Sequence, residues 1–277
     1  MTGAPQDSAL PPGTTGVVTV DLDRLVANWR ALAGLVAPTE CAAVVKADAY
    51  GLGAERCIPA LVRAGCRTFF VATCAEAEAA RRLAANSAIY VLDGLLPGAT
   101  AALAAISAIP VLSSQAEIRA LSDHARVTHT KPAAALHICS GLNRLGLTAA
   151  DVEALTLAPE RLAGLDVRLV MSHLASADTA DDPMNTIQLA AFERLRAKLP
   201  VARASLSASD GMMLGTRFHF DLARPGYAIY GGQPSRSFRA PVEPVVSVHA
   251  RILQVRDIAR ADAVGYSGIW QARRPSR

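Results

Sequence analysis

From about residue 16 the chain alternates between two hydrophobic periods. The run GVVTVDL predicts a strand, and Leu25, Trp29 and Leu32 then recur at helical spacing on one face. Eight further strand candidates follow: CAAVVKA, TFFVA, AIYVLDG, IPVLSS, ALHICSG, DVRLVMSHL, VARASLS and GYAIYGG. Alanine-rich helical stretches such as AEAEAARRLAAN and NTIQLAAFERLRAKLP lie between most of them. Strands alternating with helices imply right-handed crossovers and a parallel sheet. Eight units favour a closed α/β architecture, a (β/α)8 TIM-like barrel over residues 16–235, above an open doubly wound sheet, whose glycine-rich phosphate fingerprint is missing after the first strands. Beyond residue 235 the helical period disappears. The segment PVEPVVSVHARILQVRDI alternates apolar and polar positions, and ADAVGYSG offers a turn and another strand. Residues 236–277 therefore predict an incomplete all-β C-terminal domain, and residues 1–15 a disordered leader.

Composition narrows the function classes. The 277 residues are 51% hydrophobic and 19% charged, ample for a buried core and unlike a disordered chain. The net charge is +4, with 28 basic residues scattered among 24 acids, so no basic stripe predicts nucleic-acid binding. No apolar run reaches 18 residues, and the first fifteen lack the pattern of a signal peptide, so no membrane association is expected. Five cysteines without a CxxC pair support neither a disulfide framework nor a metal site, and the cytoplasm is the expected location.

In a barrel the chemistry belongs at the C-terminal ends of the strands. Lys46 and Tyr50 end and follow the first strand of the repeat, Arg144 follows the fifth, His173 ends the sixth, Ser209 follows the seventh, and Arg224 and Gly226 open the eighth. Arginine is the default cation here, so Lys46 stands out as one of three lysines. After a strand buried on both faces, desolvation favours a neutral, nucleophilic amine. The plainer reading is a strand-end lysine reaching solvent. Ser209 and the backbone at Gly226 and Tyr227 lie where barrels often bind phosphate, with Tyr50 within reach across the mouth. An ordinary turn serine and a positive-φ glycine are the alternatives. A lysine beside phosphate binders points to pyridoxal phosphate (PLP). Arg224 would donate to the pyridine nitrogen and keep it unprotonated, or else be a surface arginine. His173 would orient a phenol or Arg224, or else be a satisfied core histidine. Arg144 would bind a substrate carboxylate, or else be a helix cap or surface cation. The acidic run at 178–183 reads as a solvated loop, and His219 as a packed or hydrogen-bonded residue.

These blocks resemble the alanine racemases. AVVKADAYGLGA is similar to the family's PLP-attachment signature. SGLNRLGL, SHLASAD, SLSASDGMMLG, DLARPGYAIYG and AVGYSGIW resemble five further family blocks in the same order, over roughly residues 16–270. The resemblance implies that Lys46 carries PLP covalently and exchanges the proton on the D-alanine face. Tyr266 would act on the L-alanine face, supplied by the other subunit of a head-to-tail homodimer. It also implies Arg144 as a substrate-site arginine, Arg224 as partner of the ring nitrogen, and His173 as the residue orienting the tyrosine. Tyr50, Ser209, Gly226 and Tyr227 would hold the phosphate. The implied activity interconverts L- and D-alanine for peptidoglycan. The alternatives are a PLP-binding remnant without turnover, or a racemase of another small amino acid such as serine. Departures from the pattern include Leu52 and Asp48 in the signature, Cys139, Ala208 before the serine, and His137 where many members carry a carbamylated lysine. The pattern also implies about a hundred further residues, so the chain reads as a shortened form.

Overall fold

The computed structural model describes residues 12–277, so most of the expected leader lies outside the described residues. Two compact units are formed: Val20–Val245, and the residues through Thr19 together with Val246–Arg277.

The larger unit is built on seven parallel strands in sequence order: Ala43–Val44, Thr68–Val71, Ala88–Val91, Ile109–Leu112, Ala133–His137, Asp166–Met171 and Arg203–Ser205. Helices connect successive strands, among them Ala54–Ala64, Cys74–Leu83, Gln115–Thr128 and Pro183–Arg196. Because the strand order never reverses, every crossover winds the same way and the sheet curls strongly. A short strand, Leu222–Ala223, pairs in parallel with Glu40–Cys41, just before the first strand. Ala42 N donates to Ala223 O (2.9 Å) and Val44 N to Pro225 O (2.9 Å). On the other side Asp221 N donates to Ala204 O (3.0 Å) and Arg224 N to Ser207 O (2.9 Å). The same segment thus bonds both edges of the curled sheet.

The strands read as continuous apolar runs because both faces are buried. Phe69, Val71, Ile89, Leu136 and Val170 pack outward with helix residues such as Leu32, Leu61, Ile118 and Phe192. Phe70, Tyr90, Val111, Leu169 and Met171 form a second, separate cluster with Leu222. The two-residue period of a strand sorts neighbours such as Phe69 and Phe70 to opposite faces. Side-chain caps start the helices: Asp21 before Leu22–Val36, Thr73 before Cys74–Leu83, and Ser114 before Gln115–Thr128. The Leu22–Val36 helix buries Leu25, Trp29 and Leu32 as its spacing predicts. Its buried Asn28 accepts from Glu243 N (2.9 Å) and donates to Ile229 O (3.0 Å) and Glu243 O (2.8 Å), tying residues 229–243 to the helix.

Two expected strands are corrected. GYAIYGG is not a strand. Ile229, Tyr230 and Gly231 donate to Gly226, Tyr227 and Ala228 in successive three-residue turns, and the strand lies just upstream at Leu222–Ala223. Alternating apolar residues there fill tight turns rather than a pleat. In the smaller unit only Val246–Ala250 of the long alternating run is a strand, paired with Gly16–Val20. Ala263–Val264 pairs antiparallel with Trp270–Gln271 around the turn that carries Tyr266. This unit leaves Val248, Ile252, Leu253, Ile269 and Trp270 exposed.

Candidate active site

At the C-terminal ends of the parallel strands lies a cavity of about 350 Å³. Lys46, Tyr50, Arg144, His173, Ser209, Arg224, Gly226 and Tyr227 all line it, with Phe70, Asp93, His137, Met171 and Asp210 among the others. Eight of the nine residues singled out from the sequence thus meet in one place. Tyr266 is the exception: it belongs to the smaller unit and is 100% exposed.

The strand carrying Lys46 ends abruptly. Ala47, Asp48, Ala49 and Tyr50 all adopt left-handed backbone, with φ of 51°, 52°, 55° and 57°. For residues with a Cβ this costs roughly 1–2 kcal/mol each. The run turns the chain from Lys46 back across the mouth, so that Tyr50 faces Gly226. A Cβ on Gly226 would lie 2.2 Å from Tyr50 Oη. Close approach explains this glycine, and its φ is not among the positive ones, which corrects the positive-φ alternative. The Tyr50 ring packs 4.8 Å from that of Tyr230, whose Oη donates to Val44 O (3.0 Å). Burial raises the Tyr50 phenol above its ordinary pKa.

Arg224 is 3% exposed. Its Nη2 donates to Ser172 O (2.7 Å), its Nη1 donates to Ser205 Oγ, and the guanidinium carbon lies 5.9 Å from the Phe70 ring centroid. Burial lowers its pKa to about 10, which leaves it a cation at neutral pH. That charge reaches the histidines. His173 is lowered to about 3, by burial first and then by Arg224 and Arg144. His137, which meets Ser113 Oγ at 3.3 Å through Nδ1, is lowered to about 4 by the same causes. Both are neutral imidazoles at pH 7. The His173 ring makes no hydrogen bond among the described residues; its backbone oxygen accepts from Gln188 Nε2 (3.1 Å).

Ser209 Oγ accepts from Gly226 N (2.9 Å) and, more weakly, Ala228 N (3.4 Å), which leaves its own hydrogen free to point at an anion. The Tyr227 phenol donates to Asp210 Oδ1 (2.8 Å). Burial raises both groups above their usual pKa, and for the phenol the Asp210 hydrogen bond adds to it. Among the described residues Lys46, Arg144 and Arg224 form no ion pair, although all three face the cavity. Two arginines outside any ion pair, a serine hydroxyl with its hydrogen free and the Lys46 primary amine suit a phosphorylated aldehyde together with a carboxylate-bearing substrate.

Residues 20–234 match the family described as alanine racemase, N-terminal domain. The chain belongs to the alanine racemase family. It is 45% identical over 259 residues to the alanine racemase of Methylobacterium nodulans, covering 93% of this chain and 70% of that protein. The catabolic alanine racemase of Agrobacterium fabrum is 42% identical, at 96% and 69%. Among solved structures, alanine racemase from Bartonella henselae with covalently bound pyridoxal phosphate superposes with a TM-score of 0.87 at 40% identity, covering 95% of this chain and 74% of that one. Biosynthetic alanine racemase from Pseudomonas aeruginosa gives 0.85 at 30% identity, covering 94% and 73%.

Within this member of the alanine racemase family, several cavity residues escape a reading of motifs. Phe70 lies in an apolar strand and gives no sign that Arg224 sits over it. Asp210 follows Ser209 directly but reads as part of a turn. Outside the lining, Ser172 directly follows the Asp166–Met171 strand and Ser205 ends Arg203–Ser205; both hold Arg224, yet each reads in sequence as a minor polar interruption. His219, left structural, is buried with Nε2 2.9 Å from Met212 O. Among the described residues no cluster fit to hold a metal occurs, and no helix is long and apolar enough to cross a membrane.

Proposed function

We propose that this chain is a PLP-dependent racemase interconverting L- and D-alanine by a two-base mechanism, acting in the cytoplasm to supply D-alanine for peptidoglycan. The observation that carries the reading is the convergence of Lys46 with two unpaired arginines and Ser209 on one cavity. The framework is read as a (β/α)8 barrel whose eighth strand is Leu222–Ala223. Lys46 would hold PLP covalently. Tyr50, the Ser209 hydroxyl and the backbone at Gly226 and Tyr227 would bind its phosphate. Gly226 N already donates to Ser209, whereas Tyr227 N has no other partner among the described residues.

When bound, PLP supplies an electron sink that acidifies the proton on the substrate Cα. The chain's own groups do the rest. Arg224, a buried cation, donates to the ring nitrogen and keeps it unprotonated, which restrains the sink and suits proton exchange over further bond-breaking. Arg144 takes the substrate carboxylate in a fork. His173 and His137 stay neutral beside the arginines, so they add polarity without further charge. Lys46 Nζ, free of hydrogen bonds among the described residues, would remove or return the Cα proton on one face once the substrate's amine has displaced it from the cofactor. The opposite face needs a second base, assigned to Tyr266 from a second copy in a head-to-tail homodimer.

A second reading, a PLP-binding chain without turnover, needs the same cavity and differs only in that Tyr266, fully exposed in the single chain, serves no partner's cavity. The PLP assignment is tested by titrating the purified chain with PLP and following the visible spectrum. A red-shifted band that persists through gel filtration and is lost in Lys46→Ala is expected. The same spectrum in Lys46→Ala overturns the attachment, and with it both readings.

A further inference from the structure

Four consecutive left-handed residues with no glycine among them need a restraint from outside the turn, since each is held away from its preferred backbone region. The Ala47–Tyr50 run begins one residue after Lys46 and ends on Tyr50. Its internal bonds, Gly51 N to Ala47 O (2.7 Å) and Ala49 N to Val45 O (3.0 Å), belong to the turn and its immediate flank. Two side-chain bonds hold the run, one made by its own Asp48 and one reaching it from outside. Asp48 Oδ1 accepts from Ala54 N (2.7 Å), closing the turn onto the helix that follows. Ala47 N donates to Glu76 Oε1 (2.8 Å), across 29 residues of sequence. The other oxygen, Glu76 Oε2, accepts from Ala72 N (2.7 Å) and Thr73 N (3.4 Å). One carboxylate therefore joins the ends of the first two strands of the seven-stranded sheet, with both oxygens on backbone N–H groups. An ionised carboxylate, which only accepts, is the side chain such a bridge requires.

Glu76 is also the third residue of its helix and completes a capping box with Thr73. The molecule itself supplies the control for that role. Glu117 holds the equivalent place at the Gln115–Thr128 helix. Its N–H donates to the Ser114 hydroxyl, its Oε2 accepts from Ser113 N (2.6 Å), and its Oε1 accepts from Leu95 N (3.1 Å). It joins the ends of the third and fourth strands, where no cofactor-binding residue is assigned.

We propose that Glu76 is a positioning residue for the cofactor. By holding Ala47 N it fixes the left-handed turn, and through it the departure of Lys46 from its strand and the reach of the Tyr50 phenol. The inference rests on the reading that Lys46 carries PLP. The test compares Glu76→Ala, Glu76→Gln and Glu117→Ala by residue-resolved amide exchange and by PLP titration in the visible. Glu76→Gln keeps one accepting oxygen and turns an NH2 toward the other amides, so it holds only one side of the bridge.

In Glu76→Ala the Ala47 and Gly51 amides should exchange about tenfold faster and PLP should bind about tenfold more weakly, as expected for losing a charge-assisted bond. Glu76→Gln should fall between that variant and wild type, and decides the matter if Glu76→Ala does not fold. Glu117→Ala should lose comparable stability with both readouts at wild-type values. Unchanged exchange over residues 47–51 in the Glu76 variants overturns the proposal, as does an equal loss of PLP affinity in Glu117→Ala. If wild type takes up no PLP, the PLP reading fails by itself, and the exchange comparison alone decides whether Glu76 fixes the turn.

Discussion

Gly226 and Tyr50 form a contact that a single methyl group disrupts. A Cβ at position 226 would stand 2.2 Å from Tyr50 Oη, 3.1 Å from its Cζ and 3.6 Å from its Cε2. The first distance is about 1 Å or more inside van der Waals contact, the second only slightly tight. Gly226→Ala therefore forces the phenol aside. The ring can swing outward, being 38% exposed, but it leaves its contact with Tyr230 and strains a backbone already at φ 57°. Overpacking of this kind costs about 1–2 kcal/mol. In a Tyr50→Phe background the offending oxygen is gone, and the cost of the same alanine should fall to a few tenths of a kcal/mol, leaving a coupling of about 1 kcal/mol. Urea denaturation of wild type, both single variants and the double variant measures the cycle. If Tyr50 holds the PLP phosphate as proposed, either single change takes the phenol from it, so each should weaken PLP roughly tenfold, with the double variant no weaker than the worse single one. Equal stability costs of Gly226→Ala in both backgrounds would refute the reasoning, since they would mean that the two residues do not meet.

The remaining predictions concern charge and assembly. Burial and the nearby arginines lower His173 from the ordinary imidazole value of 6.5 to about 3, so between those limits the unfolded chain binds the proton that the folded chain refuses. The stability linked to neutral His173 is complete above about pH 6.5 and is lost as pH falls toward 3. Around pH 5, His173→Gln should make the rise of stability with pH shallower by about 1.3 kcal/mol per pH unit, and an identical slope would contradict a buried neutral imidazole. If Tyr266 serves a neighbouring chain's cavity, Lys46→Ala and Tyr266→Phe should each be nearly inactive. Mixed and re-equilibrated, they should regain about a quarter of wild-type turnover, because half the dimers then carry one intact site. No recovery above the separate variants would place both bases on one chain or remove Tyr266 from the chemistry.

Much of the fold is legible because its cause is local. Short continuous apolar runs, buried on both faces, mark Thr68–Val71 and Ala133–His137 as interior strands, and Thr73-x-x-Glu76 marks a helix start by its capping chemistry. The last strand fails for an equally physical reason. Leu222–Ala223 is too short to show a period, whereas the apolar residues of 226–232 mimic one while filling successive turns. Most of the candidate residues that line the cavity are legible because they are polar groups interrupting apolar strand ends, where solvation alone gives no reason for them. The residues that position those groups were harder to find. Ser172 and Ser205 around Arg224, and Glu76 under the turn at 47–50, act across 19 or more positions of sequence, and only folding brings them to their partners. The left-handed run itself gives no signal, because alanine and tyrosine do not announce positive φ, and one aspartate marks at most a single left-handed residue rather than a run of four.

The central claim is that this chain, loaded with PLP, exchanges the Cα proton of alanine. Purified protein would be supplied with PLP and L-alanine, and the D-alanine formed followed by chiral chromatography beside the visible spectrum. The account predicts a bound-cofactor band together with steady approach to an equal mixture of the two enantiomers. A bound-cofactor band with L-alanine left unchanged would contradict it.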